Sequence, residues 1–139
     1  MRVLFDTNVV LDVLLARQPH AIPAAGLFDY VARRELDGLL CATTVTTVFY
    51  LAAKTVGPTK ARQHVHTLMG MFDVAPVTRA VLADALGAGF KDYEDGVLHE
   101  AARHAGATAI VTRNGKDFGS ARLTLYEPAE LLNLVQAAR

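Results

Sequence analysis

A chain of 139 residues, 52% of them hydrophobic and with a mean hydropathy of +0.24, can bury one sizeable core, so a single domain over residues 1–139 is expected and disorder is excluded. Its 14 acids balance its 14 bases, which leaves local clusters, not net charge, to attract any polyanion. The lone Cys41 rules out an internal disulfide and a cysteine-rich zinc site and suits a reducing cytoplasm, while Asp6 and Asp12 break the apolar amino terminus too early for a signal peptide and no run approaches a membrane span.

In chain order, Val3, Leu4 and Phe5 read as a buried strand, followed by Asp6, Thr7 and Asn8 and a helical pattern over residues 9–16. Pro19 and Pro23 punctuate a turn and open a second helix, roughly residues 21–35, with Leu27, Val31 and Ala32 inward. A strand over residues 39–42 follows Gly38, and Thr43 or Thr44 is placed to cap a helix that runs to Val56 and stops at Gly57-Pro58. Residues 59–71 are amphipathic, 74–77 a short strand, and Thr78 an N-cap for a helix to about Gly87. After the stretch 91–118, residues 123–126 form a last strand and 128–138 a closing helix with Pro near its start. Alternating strands and helices imply a three-layer α/β domain with a central, mainly parallel sheet flanked by helices.

The stretch 91–118 carries the chemistry. It opens on Asp92, Glu94 and Asp95, continues as a helix with Val97, Leu98, Ala101, Ala102 and Ala105 on one side, breaks at Gly106, and leaves the strand Ala109, Ile110, Val111 through the polar sequence TRNGKDF. Asp92 with Asp95 three residues on also fits an N-cap and an acid favoured by the helix dipole. Glu94 falls on another face and is expected in solvent, Asp12 likewise, and Asp117 has a local turn-capping alternative. Asp6 is harder to set aside, because a carboxylate directly after a buried strand must find compensation for lost hydration. Two strand ends and one helix start each bring an acid, which reads as one pocket built from three distant parts of the chain. Acids so gathered repel each other unless a divalent cation lies among them, and oxygen ligands suit magnesium or manganese. The histidines add little: His64 and His66 diverge on their helix, and His99, beside an acid, reads as structural.

DTN at residues 6–8, DYEDGVLHEAA at 92–102 and IVTRNGKDF at 110–118 together resemble the acidic motifs of PIN domains, and within that family the likeness is to VapC-type toxins and related prokaryotic proteins. The resemblance spans essentially the whole chain. It implies a magnesium- or manganese-dependent endoribonuclease, held inactive by a small cognate antitoxin protein, homodimeric and cytoplasmic, with no membrane association. By position Asp6 matches the first-strand acid, Asp95 the acid opening the helix, and Asn114 with Asp117 the final acidic position, where many relatives place Asp at Asn114. Asp6, Asp95 and Asp117 are then the catalytic ligands, Asn114 and Asp92 further metal ligands, and Thr7, Asn8, Glu94, Thr112 and Arg113 supporting residues. Arg113 is placed to steady a phosphate, and Thr7 and Thr112 to orient ligands by hydrogen bonds. Arg33, Arg34, Lys54, Lys60 and Arg62 offer a basic approach for RNA, although such scattered bases read equally as solvated faces.

One departure stands out. PIN nucleases commonly carry Glu on the helix after the second strand, whereas this chain has Thr47 there and no acid from Leu39 to Ala53. Asp92 or Glu94 compensates, or the site holds one ion weakly, or the chain is an inactive PIN module acting through RNA or antitoxin binding. An aspartate-based phosphatase or phosphoacceptor domain is a weaker alternative, because Asn8 stands where that chemistry needs a second acid.

Overall fold

Residues 1–138 are described by a computed structural model. The first strand, β1 (Arg2–Phe5), sets the layering: Val3 and Phe5 project into one core and Leu4 into another, so both faces of the strand are covered. β1 is flanked by β2 (Asp37–Cys41) and β4 (Ala109–Val111), and the sheet is completed by β3 (Asp73–Ala75) and β5 (Thr124–Tyr126). All four pairings are parallel, in the order β3-β2-β1-β4-β5, so the expected mainly parallel sheet is wholly parallel.

Helices α1 (Thr7–Leu14), α2 (Ala21–Ala32), α3 (Ala42–Val56), α4 (Pro58–Met71) and α7 (Pro128–Ala137) pack on the Val3/Phe5 side. The other face is covered by α5 (Arg79–Gly87) and α6 (Tyr93–His104). On the first side Phe5, Phe28 and Phe72 meet edge to face, with ring centroids 5.1–5.8 Å apart. Among the described residues no helix is long and apolar enough to cross a membrane.

Local chemistry explains where the elements depart from expectation. α2 stops at Ala32 instead of reaching Glu35, because Arg34 turns into the left-handed region (φ 62°). β2 begins two residues earlier than expected and contains Gly38, whose missing side chain leaves room for the Phe72 ring. Thr43 and Thr44 do not cap α3; Cys41 occupies that position without a side-chain bond, and the Thr44 hydroxyl bonds the Thr7 hydroxyl at 2.9 Å. β3 lies at 73–75 and not 74–77, and α7 is opened by a reciprocal capping box between Glu127 and Glu130. Thr78 and Asp92 cap as expected, accepting the N–H groups of Val81 at 3.2 Å and Glu94 at 2.8 Å. Cys41 is fully buried, as a small hydrophobe would be.

Gly38 marks how tightly the aromatic side is filled. A Cβ there would lie 2.7 Å from the Phe72 ring and 2.9 Å from Val31 Cγ1. Gly38→Ala is expected to cost about 1–3 kcal/mol through overpacking, read from the midpoint of urea unfolding. An unchanged midpoint would mean that the three rings slide aside freely.

Candidate functional site

The strand order reverses between β1 and β4, and the carboxyl ends of two such strands leave a crevice where an open α/β sheet binds its ligands. Asp6 follows β1 and Thr112 follows β4. The Asp6 N–H donates to the Val111 carbonyl at 3.0 Å, which prolongs the pairing past both strands and sets the two side chains together. The Thr112 hydroxyl donates to Asp6 Oδ2 at 2.7 Å and accepts the Asn114 N–H at 3.0 Å. One buried hydroxyl thus fixes both the first acid and the start of the following loop. Where a polar loop is expected, residues Gly115–Phe118 form a 3-10 turn carrying Asp117, with Phe118 as its buried anchor.

These elements close around a cleft of about 300 Å³ lined by Asp6, Thr7, Asn8, Thr47, Asp92, Glu94, Asp95, Asn114 and Asp117, with Leu11, Leu51, Leu98 and Phe118 as apolar wall. Three distant parts of the sequence therefore do meet, and Thr47 of α3 faces the same space. Asp6 is buried, Asp95 and Asn114 half-buried, Asp92, Glu94 and Asp117 exposed. Glu94, expected on a separate face, is exposed as foreseen yet lines the cleft, since the first turn of α6 lies across its mouth. Asp92 does double duty as helix cap and cleft wall.

The electrostatics follow from the crowding. Burial pushes the Asp6 carboxyl above its ordinary 3.8, against the Thr112 hydroxyl, the Thr7 backbone and Arg113, which favour the charged form. Asp95 is pushed from 3.8 to about 6, first by burial and then by the charges of Asp92, Asp6, Asp117 and Glu94. No lysine or arginine lines this cleft, and among the described residues the Asp95, Asp117, Asn8 and Asn114 side chains make no hydrogen bond or ion pair. Hard oxygen donors in excess, mutually repelling and with no lysine or arginine in the lining, fit a divalent cation.

Two expectations are corrected. Asp12, expected in solvent, is wholly buried and receives the Arg113 Nε at 2.6 Å and Nη2 at 3.2 Å, with Arg17 at 3.7 Å from the same carboxylate. Arg113 is consequently engaged by Asp12 and is not held in reserve for a phosphate; its role is to tie the loop after β4 onto α1. The scattered bases are solvated faces as far as this cleft is concerned, none of them lining it: Arg33 pairs with Asp29, Lys54 lies over the Tyr50 ring and Arg62 over Phe49. His99 is buried with Nδ1 2.6 Å from Glu100 and Nε2 accepting the Arg122 N–H at 3.0 Å, a structural role. Asp84, Glu100 and His104 form a second group with ligand-type atoms within 4.8 Å, but Arg103 bridges Glu100 and Asp84, so those acids already have a cation.

An α/β domain with carboxylates gathered at the switch point of a 3-2-1-4-5 parallel sheet has the arrangement that the sequence motifs suggest. Residues 2–116 match the PIN domain family, and the chain belongs to it. No curated protein matches the chain significantly in sequence. Among solved structures it is similar to VapBC2 from Rickettsia felis bound to a promoter DNA fragment (TM-score 0.71, 12% identity, 91% of this chain and 98% of that one). It is also similar to a toxin-antitoxin complex from Klebsiella pneumoniae (0.70, 19%, 92% and 98%). A third likeness is to the sarcin-ricin loop cleaving toxin VapC20 from Mycobacterium tuberculosis (0.69, 12%, 85% and 94%). At these identities the likeness is one of fold.

The raised carboxyl of Asp95 gives a pH signature. Between the unfolded value of 3.8 and about 6 the folded protein holds the extra proton, so this group makes the metal-free protein lose stability as pH rises through that window. Asp95→Asn should therefore be more stable than the parent at neutral pH without metal, and the advantage should vanish below pH 4. Thermal unfolding in chelator across pH checks this; an Asn variant no more stable at pH 7 than at pH 4, relative to the parent, would show that Asp95 is not crowded.

Proposed function

We propose that this PIN domain is a metal-dependent endoribonuclease of the toxin type, with Asp6, Asp95 and Asp117 as the carboxylates that hold a magnesium or manganese ion and Asn114 and Asp92 at its margin. The observation that carries this reading is the convergence of those acids in one cleft whose own lining contains no lysine or arginine. The chemistry such an ion supplies when bound is Lewis acidity toward a water and a phosphate oxygen. The chain's own residues supply position. Thr112 holds Asp6 Oδ2 in one orientation, the Asn114 N–H bond holds Thr112, and the Arg113–Asp12 pair holds the loop that carries Asn114 and Asp117. The Thr7–Thr44 hydroxyl pair, 2.9 Å apart, ties the start of α1 to α3 behind Thr7. Asp95, its carboxyl pushed up to about 6, must lose its proton to become a ligand, so ion affinity should rise with pH through about 6.

Support for the toxin assignment comes from the fold neighbours, which include toxin-antitoxin complexes; a small antitoxin partner, a homodimeric assembly and a cytoplasmic site of action belong to the same proposal. A second reading, a catalytically weak or inactive PIN module acting through RNA or antitoxin binding, is favoured by one observation: Thr47 lines the cleft where the family commonly has Glu.

Asp6→Asn and Asp95→Asn should each abolish manganese- or magnesium-dependent cleavage of single-stranded RNA while the circular-dichroism spectrum stays native. Parent-like cleavage by either variant would remove it from the metal set. A parent protein that cleaves nothing, yet shows a metal-induced rise in Tm, would favour the inactive-module reading.

Thr47→Glu separates the two readings further. Without metal the added carboxylate should destabilise the fold by about 1 kcal/mol, because it joins charges that already repel. With magnesium or manganese the deficit should shrink or reverse, the metal-induced shift in Tm exceeding that of the parent. An equal effect with and without metal would place residue 47 outside the reach of the ion.

A further inference from the structure

The acidic cleft does not end at α6. Across the ridge formed by Asp92, Asp95 and Asp117 it opens into a second groove of about 570 Å³, and that groove meets a third, of about 340 Å³, at Phe90 and Ser120. Two lysines line the middle groove, Lys91 before α6 and Lys116 on the 3-10 turn. Arg122 lines the third. None of the three forms an ion pair among the described residues, although Asp92, Asp95 and Asp117 share the middle groove with both lysines. Arg2, Arg17, Arg33, Arg103 and Arg113, by contrast, are all paired with acids.

The groove is also built, not just bordered by charge. The Ser120 hydroxyl donates to the Gly89 carbonyl at 3.2 Å, which pins the segment bearing Lys91 to the segment following Lys116. Gly89 takes φ +79° at that junction, a conformation in which a side chain would be strained. The two segments that carry the lysines are thus joined at one point, in the groove they share with Asp92, Asp95 and Asp117.

We infer that Lys91 and Lys116 form a phosphate subsite for a single-stranded RNA that leaves the acidic cleft toward Arg122, seating the phosphodiester next to the one at the carboxylates. The inference rests on the nuclease reading for the choice of polymer. Ammonium groups bind phosphate as mobile point charges, without demanding a base identity, so the subsite would set strand path and direction and not sequence. It also explains how a chain with no net charge would engage a polyanion: Lys91, Lys116 and Arg122, without ion pairs, line two adjoining grooves beside the carboxylates.

The test is RNA binding, measured by fluorescence anisotropy with a labelled single-stranded oligouridylate and magnesium, in the full-length Asp6→Asn protein with and without Lys91→Gln and Lys116→Gln together. Both lysines are exposed, so the variant should fold. Affinity should fall on the order of tenfold, and the slope of log affinity against log salt should lessen by about 0.7 for each phosphate that is no longer neutralised. Unchanged affinity and slope would overturn the subsite. So would displacement of the RNA by oligoglutamate of equal charge at equal concentration, which would assign the groove to an acidic peptide. Cleavage by the parent protein is scored separately: a reduced slope with a parent that cleaves nothing supports the groove and removes the nuclease reading, whereas full cleavage with an unchanged slope does the opposite.

Discussion

A carboxylate placed at the end of the middle strand of a parallel sheet cannot keep its water, and most of the site's geometry answers to that constraint. Asp6 sits where β1 leaves the sheet with strands on both sides, its backbone N–H already given to β4. Ordinarily an Asp before a helix would turn its side chain back to cap it; α1 has no such bond, and Oδ2 accepts the Thr112 hydroxyl. The helix gives up a cap, typically about 1 kcal/mol, and the charge gains a fixed orientation toward the crevice. Everything next to it, from the Asn114 amide to the 3-10 turn bearing Asp117, is placed relative to that bond.

What the sequence displays is the local part of this arrangement. The apolar runs of β1 and β4, the breaks at Gly57-Pro58 and Gly106, the caps Thr78 and Asp92, and the acids at strand ends and a helix start can all be read within windows of a few residues, and from them the layered parallel fold. Long-range pairings cannot. Asp12 lies in an apolar helical pattern whose buried side is not distinguishable by period alone, and its partner Arg113 is 101 residues away. Misplacing one misassigns the other, since Arg113 looks free for a phosphate only if Asp12 faces water. Gly38 is missed for a similar reason: the strand reads as starting after the glycine, and the Phe72 ring that fills the space beside it lies far along the chain.

The even balance of acids and bases conceals a division of labour between arginine and lysine. Five arginines form ion pairs, several of which join elements: Arg113 on Asp12, Arg103 on Asp84 and Arg2 on Asp73. Planar guanidinium groups suit such bidentate, partly buried work. The Arg113–Asp12 pair costs desolvation on both sides, so its value lies less in net stability than in what removing Arg113 would expose, a buried Asp12 carboxylate left with Arg17 alone at 3.7 Å. That penalty is what fixes the loop carrying Asn114 and Asp117 against α1.

Thr47 completes the electrostatic picture. With threonine on α3 the cleft draws its charge from β1, the start of α6 and the 3-10 turn alone, and one wall is neutral. The remaining acids are not thereby dilute. Among the charges that raise Asp95 toward 6, Asp92 comes first, ahead of Asp6 and Asp117, with Glu94 after them. The two acids that begin α6 therefore restore, from the near side, field that a glutamate on α3 would have supplied from the far side. They do so at a cost in directness, because Asp92 keeps one oxygen on the Glu94 N–H and Glu94 remains in solvent, where charge is screened. With threonine at position 47 a cation in such a cleft would meet carboxylate oxygens from β1, α6 and the 3-10 turn and none from α3.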